Sequence, residues 1–201
     1  DIIVINKDWS MPIYPTAGHE ETVWQTLYLP LPIHGVKLGF HPVYRLDKDT
    51  SGLIVIAKHG YAAAVLSKSI EKNTRLCVKV FKGEGTIDVP IRLKEGYTIQ
   101  REVAKDGQRA VTHWKVVGGT NHHTLLQIRL ETGRTHQIRV HMAYIGHPLV
   151  GDWLYGTEDH NIAKRQMLIR AILFTHPITG QIMEFKDEMA EDMRAFIEKL
   201  S

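Results

Sequence analysis

The stretch YRLDKDTSGL, residues 44–53, sets one carboxylate, Asp47, two positions behind a permanent cation, Arg45, and just ahead of a turn. Thr50, Ser51 and Gly52 are residue types that satisfy or relax a tight backbone. They do not explain the acid and the guanidinium beside it. A small anionic side chain can act as a nucleophile, forming a covalent intermediate that divides a difficult exchange into easier steps. Asp49 adds a second acid, and two carboxylates across a bond are what a glycosidase uses. Its place beside Thr50-Ser51-Gly52 assigns it instead to stabilising the turn.

A second stretch, LETGRTHQIRVHMAYIGHPLVGDWLYG at 130–156, reads as a strand that ends in a Thr-Gly turn and enters a short helix. Arg134 sits at that junction, where loops on rigid elements usually place function. Gly146 ends the helix, as a C-terminal glycine does. The 12 histidines raise the question of a metal. His136 and His141 are five apart, a poorer spacing for joint ligation than i and i+4, and no cysteine cluster accompanies them. No metal is expected.

Together the two stretches resemble the RluA-type pseudouridine synthases, whose signatures run approximately H-R-L-D-x-x-T-S-G-L and G-R-T-H-Q-I-R-x-H. The likeness extends to VINKDWSMPIYPT at 4–16, GQRAVTHWKVV at 107–117 and THPITG at 175–180, and so covers nearly the whole chain. Two long motifs in order are far more specific than one short pattern. The resemblance implies that residues 1–201 form a catalytic domain that isomerises uridine in RNA to pseudouridine. Asp47 is then the nucleophile and Arg134 the guanidinium that keeps it ionised. Arg45 enters the RNA beside a flipped nucleotide, because stacking conceals the glycosidic bond; the competing reading pairs Arg45 with Asp49 at the surface. Lys72, Arg75, His136 and Arg139 are further expected RNA contacts. No cofactor is implied. The expected partner is structured RNA, ribosomal or transfer, recognised by shape and splayed bases.

The pattern breaks at one place. Family members carry a tyrosine six residues before a glycine on the strand after the helix, and counting back from Gly83 reaches Cys77. A thiol lacks the π-face on which a base stacks, a contact typically worth ~1–3 kcal/mol. With an unperturbed pKa of about 8.5, it becomes a proton acceptor only where cations lower it. Three outcomes stay open: a slower synthase, a substitute such as Tyr44 or Tyr97, or an RNA-binding or RNA-remodelling relative that has lost the reaction. An active enzyme is preferred because Asp47 and Arg134 are both present. Tyr44 and Arg170 stand where the family commonly has His, and Asp8 where it has Pro.

These residues need a scaffold. DIIVIN at 1–6 reads as a buried strand, and the Pro and Gly scattered over 12–41 as an irregular connection. GLIVIAK at 52–58 is apolar on both faces and is predicted to be central in its sheet. YAAAVLSKSIEK at 61–72 has helical spacing. RLCVKVF at 75–81 alternates, which puts Cys77, Lys79 and Phe81 on the more polar face. VTHWKVV at 111–117 and TLLQIRLE at 124–131 pair across GGTNHH. ILFTHPITGQIMEF at 172–185 is a hairpin around Pro177 and Gly180, followed by a tail helix with a stripe of Met189, Met193, Phe196, Ile197 and Leu200. The class is α+β, with a mixed, mainly antiparallel sheet and flanking helices.

With 201 residues, 43% of them apolar, the chain can bury one substantial core and fits a single domain. A net charge of +3 is too small to argue for nucleic acid by itself, so placement decides. Lys68, Lys72, Arg75, Lys79 and Lys82 surround the lone acid Glu71, whereas the tail from Glu184 onward is mostly acidic. One cysteine excludes an internal disulfide framework and any multi-cysteine zinc site, and suits a reducing compartment. The longest apolar run, LIVIA at 53–57, is far too short to span a bilayer. A cytoplasmic monomer is expected. The chain opens on Asp1 rather than Met, which leaves room for an upstream targeting peptide or domain.

Overall fold

The computed structural model describes residues 1–15, 21–28, 39–79, 81–156 and 167–187. Its first elements are β1 (Ile2–Lys7), α1 (Val23–Tyr28), β2 (His41–Pro42), β3 (Ser51–Ala57), α2 (Gly60–Ser69) and β4 (Glu71–Lys79). Then come β5 (Glu84–Asp88), β6 (Ile91–Leu93), β7 (Arg101–Val103), β8 (Val111–Gly119), β9 (His123–Leu130) and α3 (Gln137–Tyr144). The described chain ends in β10 (Met167–Thr175) and β11 (Ile182–Lys186). The described residues fall into two compact units, one within Asp1–Lys72 together with β10 and β11 from Ile169 on, and one within Asn73–Leu168.

In the first unit β3 is the middle strand. It pairs antiparallel with β1, from Ile2↔Ala57 to Lys7↔Gly52, and its other neighbour is β10, which continues into the antiparallel strand β11. All seven residues of β3 are buried. That is why its sequence is an unbroken apolar run rather than an alternation: both faces are covered. Ile54, Val55, Ile56, Leu66, Ile172 and Phe174 form the centre of this core. On α2, Ala62 and Leu66 are buried, and the helix start is capped by His59, whose Nδ1 accepts the Ala62 N–H at 3.3 Å. The helical pattern over 61–72 runs too far. Ile70 is already extended (φ −73°, ψ 125°) because its side chain packs on the first core, and Glu71 opens β4. The connection over 12–41 also holds α1, started by a Thr-x-x-Gln box in which Thr22 Oγ1 accepts the Gln25 N–H at 3.2 Å.

The second unit is an antiparallel sheet in the order β4-β9-β8-β5, with a bulge in β8 between Val116 and Gly118. Leu76, Val78, Ile87, Leu126 and Ile128 from the sheet pack with Ile138 and Met142 of α3. The alternation of 75–81 predicted a more polar face for Cys77, and the structure corrects it. Cys77 is 4% exposed, between Leu76 and Val78 at 0%. The segment after α3 runs beside β4, with the Val150 N–H donating to the Cys77 carbonyl at 2.9 Å. The same face opens to solvent on either side of Cys77, with Arg75 half-buried and Lys79 exposed. The ribbon of β6 and β7 is too short to hold by ladder bonds alone, and Arg92 braces it: Nε and Nη2 donate to Glu102 and Nη1 to Asp106, at 2.8–3.0 Å.

The expected pairing of 111–117 with 124–131 and the hairpin around Gly180 are present. The tail stripe from Met189 to Leu200 lies outside the described residues. The class is α+β with mainly antiparallel pairing. Among the described residues no helix is long and apolar enough to cross a membrane.

Candidate active site

In the first unit, Asp47 opens a turn closed by the Thr50 N–H, which donates to the Asp47 carbonyl at 3.0 Å. Leu46 and Thr50 on either side are buried, Arg45 is exposed, and Asp47 is half-buried. An apolar anchor before the acid and a buried threonine after it leave the carboxylate little freedom. Gly52 follows at φ 114°, a backbone that side chains rarely adopt. Lys7, opposite Gly52 in register, is buried. Its Nζ donates to the carbonyls of Asp8 (2.8 Å), Met11 (3.0 Å) and Lys48 (3.0 Å), the last inside the Asp47 turn. Burial pulls the Lys7 pKa down to about 8, against the opposing pull of Asp49, Asp47 and Asp8.

Tyr44 and Lys72 are neighbours here. The Tyr44 hydroxyl donates to the Leu53 carbonyl at 2.7 Å, and burial pushes its pKa further up. A phenol so engaged stays protonated. Lys72 lies with Nζ 4.7 Å from the Tyr44 ring centroid, and burial lowers its pKa.

In the second unit, Arg134 stands between β9 and α3, and Gln137 builds the junction. Its Oε1 accepts from Thr132 Oγ1 (2.8 Å) and the Arg134 N–H (3.0 Å). Its Nε2 donates to the Val111 carbonyl (2.9 Å) and Thr112 Oγ1 (3.1 Å). The amide thereby uses two acceptor and two donor positions. Below it, His141 is wholly buried. Its Nε2 lies 3.0 Å from the Val89 carbonyl, which can only accept, so the proton is on Nε2 and Nδ1 accepts from Thr112 Oγ1 at 2.9 Å. Burial lowers the His141 pKa, keeping it neutral. Arg134 itself is exposed and donates from Nε to the Arg109 carbonyl at 3.0 Å.

The remaining expected contacts divide sharply. His136 has a left-handed backbone (φ 57°, ψ 16°) at the start of α3, with Nδ1 2.7 Å from the Tyr155 hydroxyl. That hydroxyl also accepts the Arg101 N–H at 2.8 Å. Arg139 forks onto Asp152 through Nε and Nη2, both at 2.7 Å, with the side chains only 11% and 1% exposed, and its guanidinium lies 5.0 Å from the Tyr155 ring. This geometry gives Arg139 a structural task in the interior rather than an RNA contact at the surface. Arg75 is half-buried, with its Nε buried and without a hydrogen-bond partner among the described residues. Tyr97 is exposed, with Lys94 Nζ 4.6 Å from its ring. The thiol of Cys77 is pushed up to about 11 by burial, so cations do not lower it. Among the described residues no three His, Cys, Asp or Glu side chains gather as a metal site.

A family model described as RNA pseudouridylate synthase matches residues 1–144. The chain belongs to the RNA pseudouridylate synthase family. It is 39% identical to the uncharacterized RNA pseudouridine synthase YjbO of Bacillus subtilis over 98% of its length and 72% of that protein's. It is 40% identical to the ribosomal large subunit pseudouridine synthase D of Vibrio cholerae, over 96% of its length and 66% of that protein's. Its fold is similar to human RNA Pseudouridylate Synthase Domain Containing 4, at a TM-score of 0.77 and 20% identity, covering 99% of this chain and 89% of that one. The activity is an isomerisation within RNA: the bond from ribose C1′ to N1 of uracil is replaced by one to C5. For a pseudouridine synthase, the two motifs fall on the two most constrained turns described above. Sequence reasoning passed over Lys7, Gln137 and Asp152. The signal available for Lys7 was a lysine closing an otherwise apolar strand; Asp152 carries no local signal, because its partner is 13 residues away.

Proposed function

We propose that both units act as one catalytic domain in which Asp47 is the nucleophile and Arg134 the guanidinium that favours its ionised form. The observation that carries this reading is the Asp47 turn, tied by the Thr50 N–H at one end and by Lys7 at its centre. Asp47 attacks the target nucleoside, at C1′ or at the base. The C1′–N1 bond breaks, uracil turns within the site, C1′ bonds to C5, and the bond to Asp47 breaks to return its carboxylate. The proton leaves C5 and N1 ends protonated, so the exchange balances without cofactor, oxidant or ATP. Arg45, exposed next to the turn, enters the RNA at the flipped uridine. His136, Arg75 and Lys72 add contacts around it. Ribosomal RNA is the first substrate to test because a relative's name specifies the large ribosomal subunit; transfer RNA is the second. A cytoplasmic monomer fits the reading.

A second reading is favoured by one observation: Cys77 offers neither a ring nor a thiolate. On that reading the chain binds or remodels RNA without the reaction. The test is nucleoside analysis of large-subunit ribosomal RNA and bulk transfer RNA after incubation with the parent and with Asp47→Ala. New pseudouridine with the parent alone supports the synthase, whereas binding with no product on either RNA supports the second reading.

A further inference from the structure

Trp9 is a large aromatic side chain left 36% exposed just past the end of β1. Among the described residues it does not join the apolar core of the first unit. Its loop is nonetheless well fixed. The Trp9 N–H donates to Asp8 Oδ1 at 2.9 Å, and Ser10 beside it takes a left-handed backbone (φ 61°) that side chains seldom adopt. The carbonyls of Asp8 and Met11, on either side of the indole in sequence, lie 2.8 and 3.0 Å from Lys7 Nζ. That same nitrogen reaches the Lys48 carbonyl at 3.0 Å. The Trp9 loop and the Asp47 turn are therefore packed side by side. On the turn, Arg45 and Lys48 are exposed while Asp47 and Asp49 are half-buried, so the cations are the groups it offers to a large partner.

We infer that Trp9 is a stacking platform for RNA: its indole takes the face of an unpaired base next to the uridine that is flipped toward Asp47. The inference rests on the reading of the Asp47 turn as the place of reaction. Flipping a nucleotide removes it from the stack and leaves the face of its neighbour bare. An aromatic ring beside the turn covers that face and returns part of the cost. Every base has such a face, so the contact holds the RNA without reading its sequence. An indole carries no charge and a single N–H donor, which suits it to a base plane rather than to a phosphate. Because its loop is already fixed, little backbone freedom is lost when the base arrives. Exposed tryptophans also anchor protein partners, but the cations of the adjoining turn match a phosphate backbone and favour RNA.

Filter binding of the full chain to a large-subunit ribosomal RNA transcript and to bulk transfer RNA, over a series of salt concentrations, tests the platform. Trp9→Leu keeps apolar bulk but removes the π-face, and is expected to weaken binding ~5–100-fold, the range for loss of one base–aromatic stack. Trp9→Phe keeps a smaller ring and should fall between Leu and the parent. Plots of log affinity against log salt should run parallel for all three proteins, because a stack releases no counterions. A second measurement uses the parent alone. Hydroxyl-radical footprinting should oxidise Trp9 in the free chain and show it protected severalfold in the RNA complex. Parental affinity in Trp9→Leu for both RNAs overturns the inference and points the indole toward a protein partner. So does a flatter salt slope in that variant, which would place the loss in a charge contact, or a Trp9 that RNA does not protect. A parent that binds neither RNA overturns it as well. Pseudouridine formed by a Trp9→Leu protein of parental affinity sinks the stack and leaves the synthase; Trp9-dependent binding with no product from the parent does the reverse.

Discussion

The Asp47 turn and the Arg134 junction solve one problem with opposite chemistry. Each must hold a charged side chain at the end of an irregular segment. The first is held from beneath by a buried ammonium, the second by a buried neutral amide, that of Gln137. A charged anchor binds carbonyls strongly but carries a proton that it can lose, whereas an amide is indifferent to pH across the physiological range. The difference teaches that the two anchors respond differently to pH: the buried ammonium titrates at about 8, whereas the amide of Gln137 has no proton to lose in that range.

The largest expected break in that comparison is at the turn. Asp47→Asn keeps the shape and removes the anion, so single-turnover pseudouridine formation should fall by on the order of 10⁴-fold or more, with an unchanged melting curve. In the second unit the corresponding breaks should appear in stability. Arg139→Ala leaves the Asp152 carboxylate buried without its guanidinium and should cost about 3–5 kcal/mol, measured by denaturant unfolding; parental stability would mean that the pair is not buried in solution. Gln137→Leu takes the acceptor from the Arg134 N–H and one hydrogen bond each from the Val111 carbonyl and the Thr112 hydroxyl, for about 2–3 kcal/mol. Its activity loss should exceed its loss of RNA affinity if the junction aims Arg134.

The pH dependence of stability sharpens the contrast with the smallest effects. His141 has a lowered pKa when folded, so the unfolded chain binds more protons as the pH drops below about 6.5. Its contribution is present above that value and is lost as the pH falls toward the folded pKa. Lys7 is also lowered, from 10.5 to about 8, so the unfolded chain binds more protons in that window, and stability from this group rises from pH 8 to 10.5. Thermal unfolding should therefore weaken on the acid side, with no matching loss above pH 8 from Lys7.

The turn proposed as catalytic was legible because its residues are contiguous: Asp47, Thr50 and Gly52 state a turn and an acid within six positions. The strands were legible where one face is wet, as in the paired segments at 111–117 and 124–131. Cys77 misled because alternation assumes a face wet along its whole length, whereas Cys77 is buried between half-buried Arg75 and exposed Lys79 on that face. Arg139 misled for a related reason. A cation on an amphipathic helix reads as surface until Asp152 is brought beneath it by a fold whose sequence has no local mark for that meeting. The overrun of α2 into Glu71 shows tertiary packing of Ile70 overriding helical spacing.

The left-handed backbone at His136 also limits which residues that site can accept. Branched side chains such as Val or Ile are nearly excluded there by sterics alone, and glycine, asparagine, aspartate and histidine adopt the conformation most readily. A saturation library selected for folding should thus retain a narrow, polar set of replacements two positions past Arg134. Selecting the same library for RNA modification should narrow it again, to side chains that still reach the Tyr155 hydroxyl.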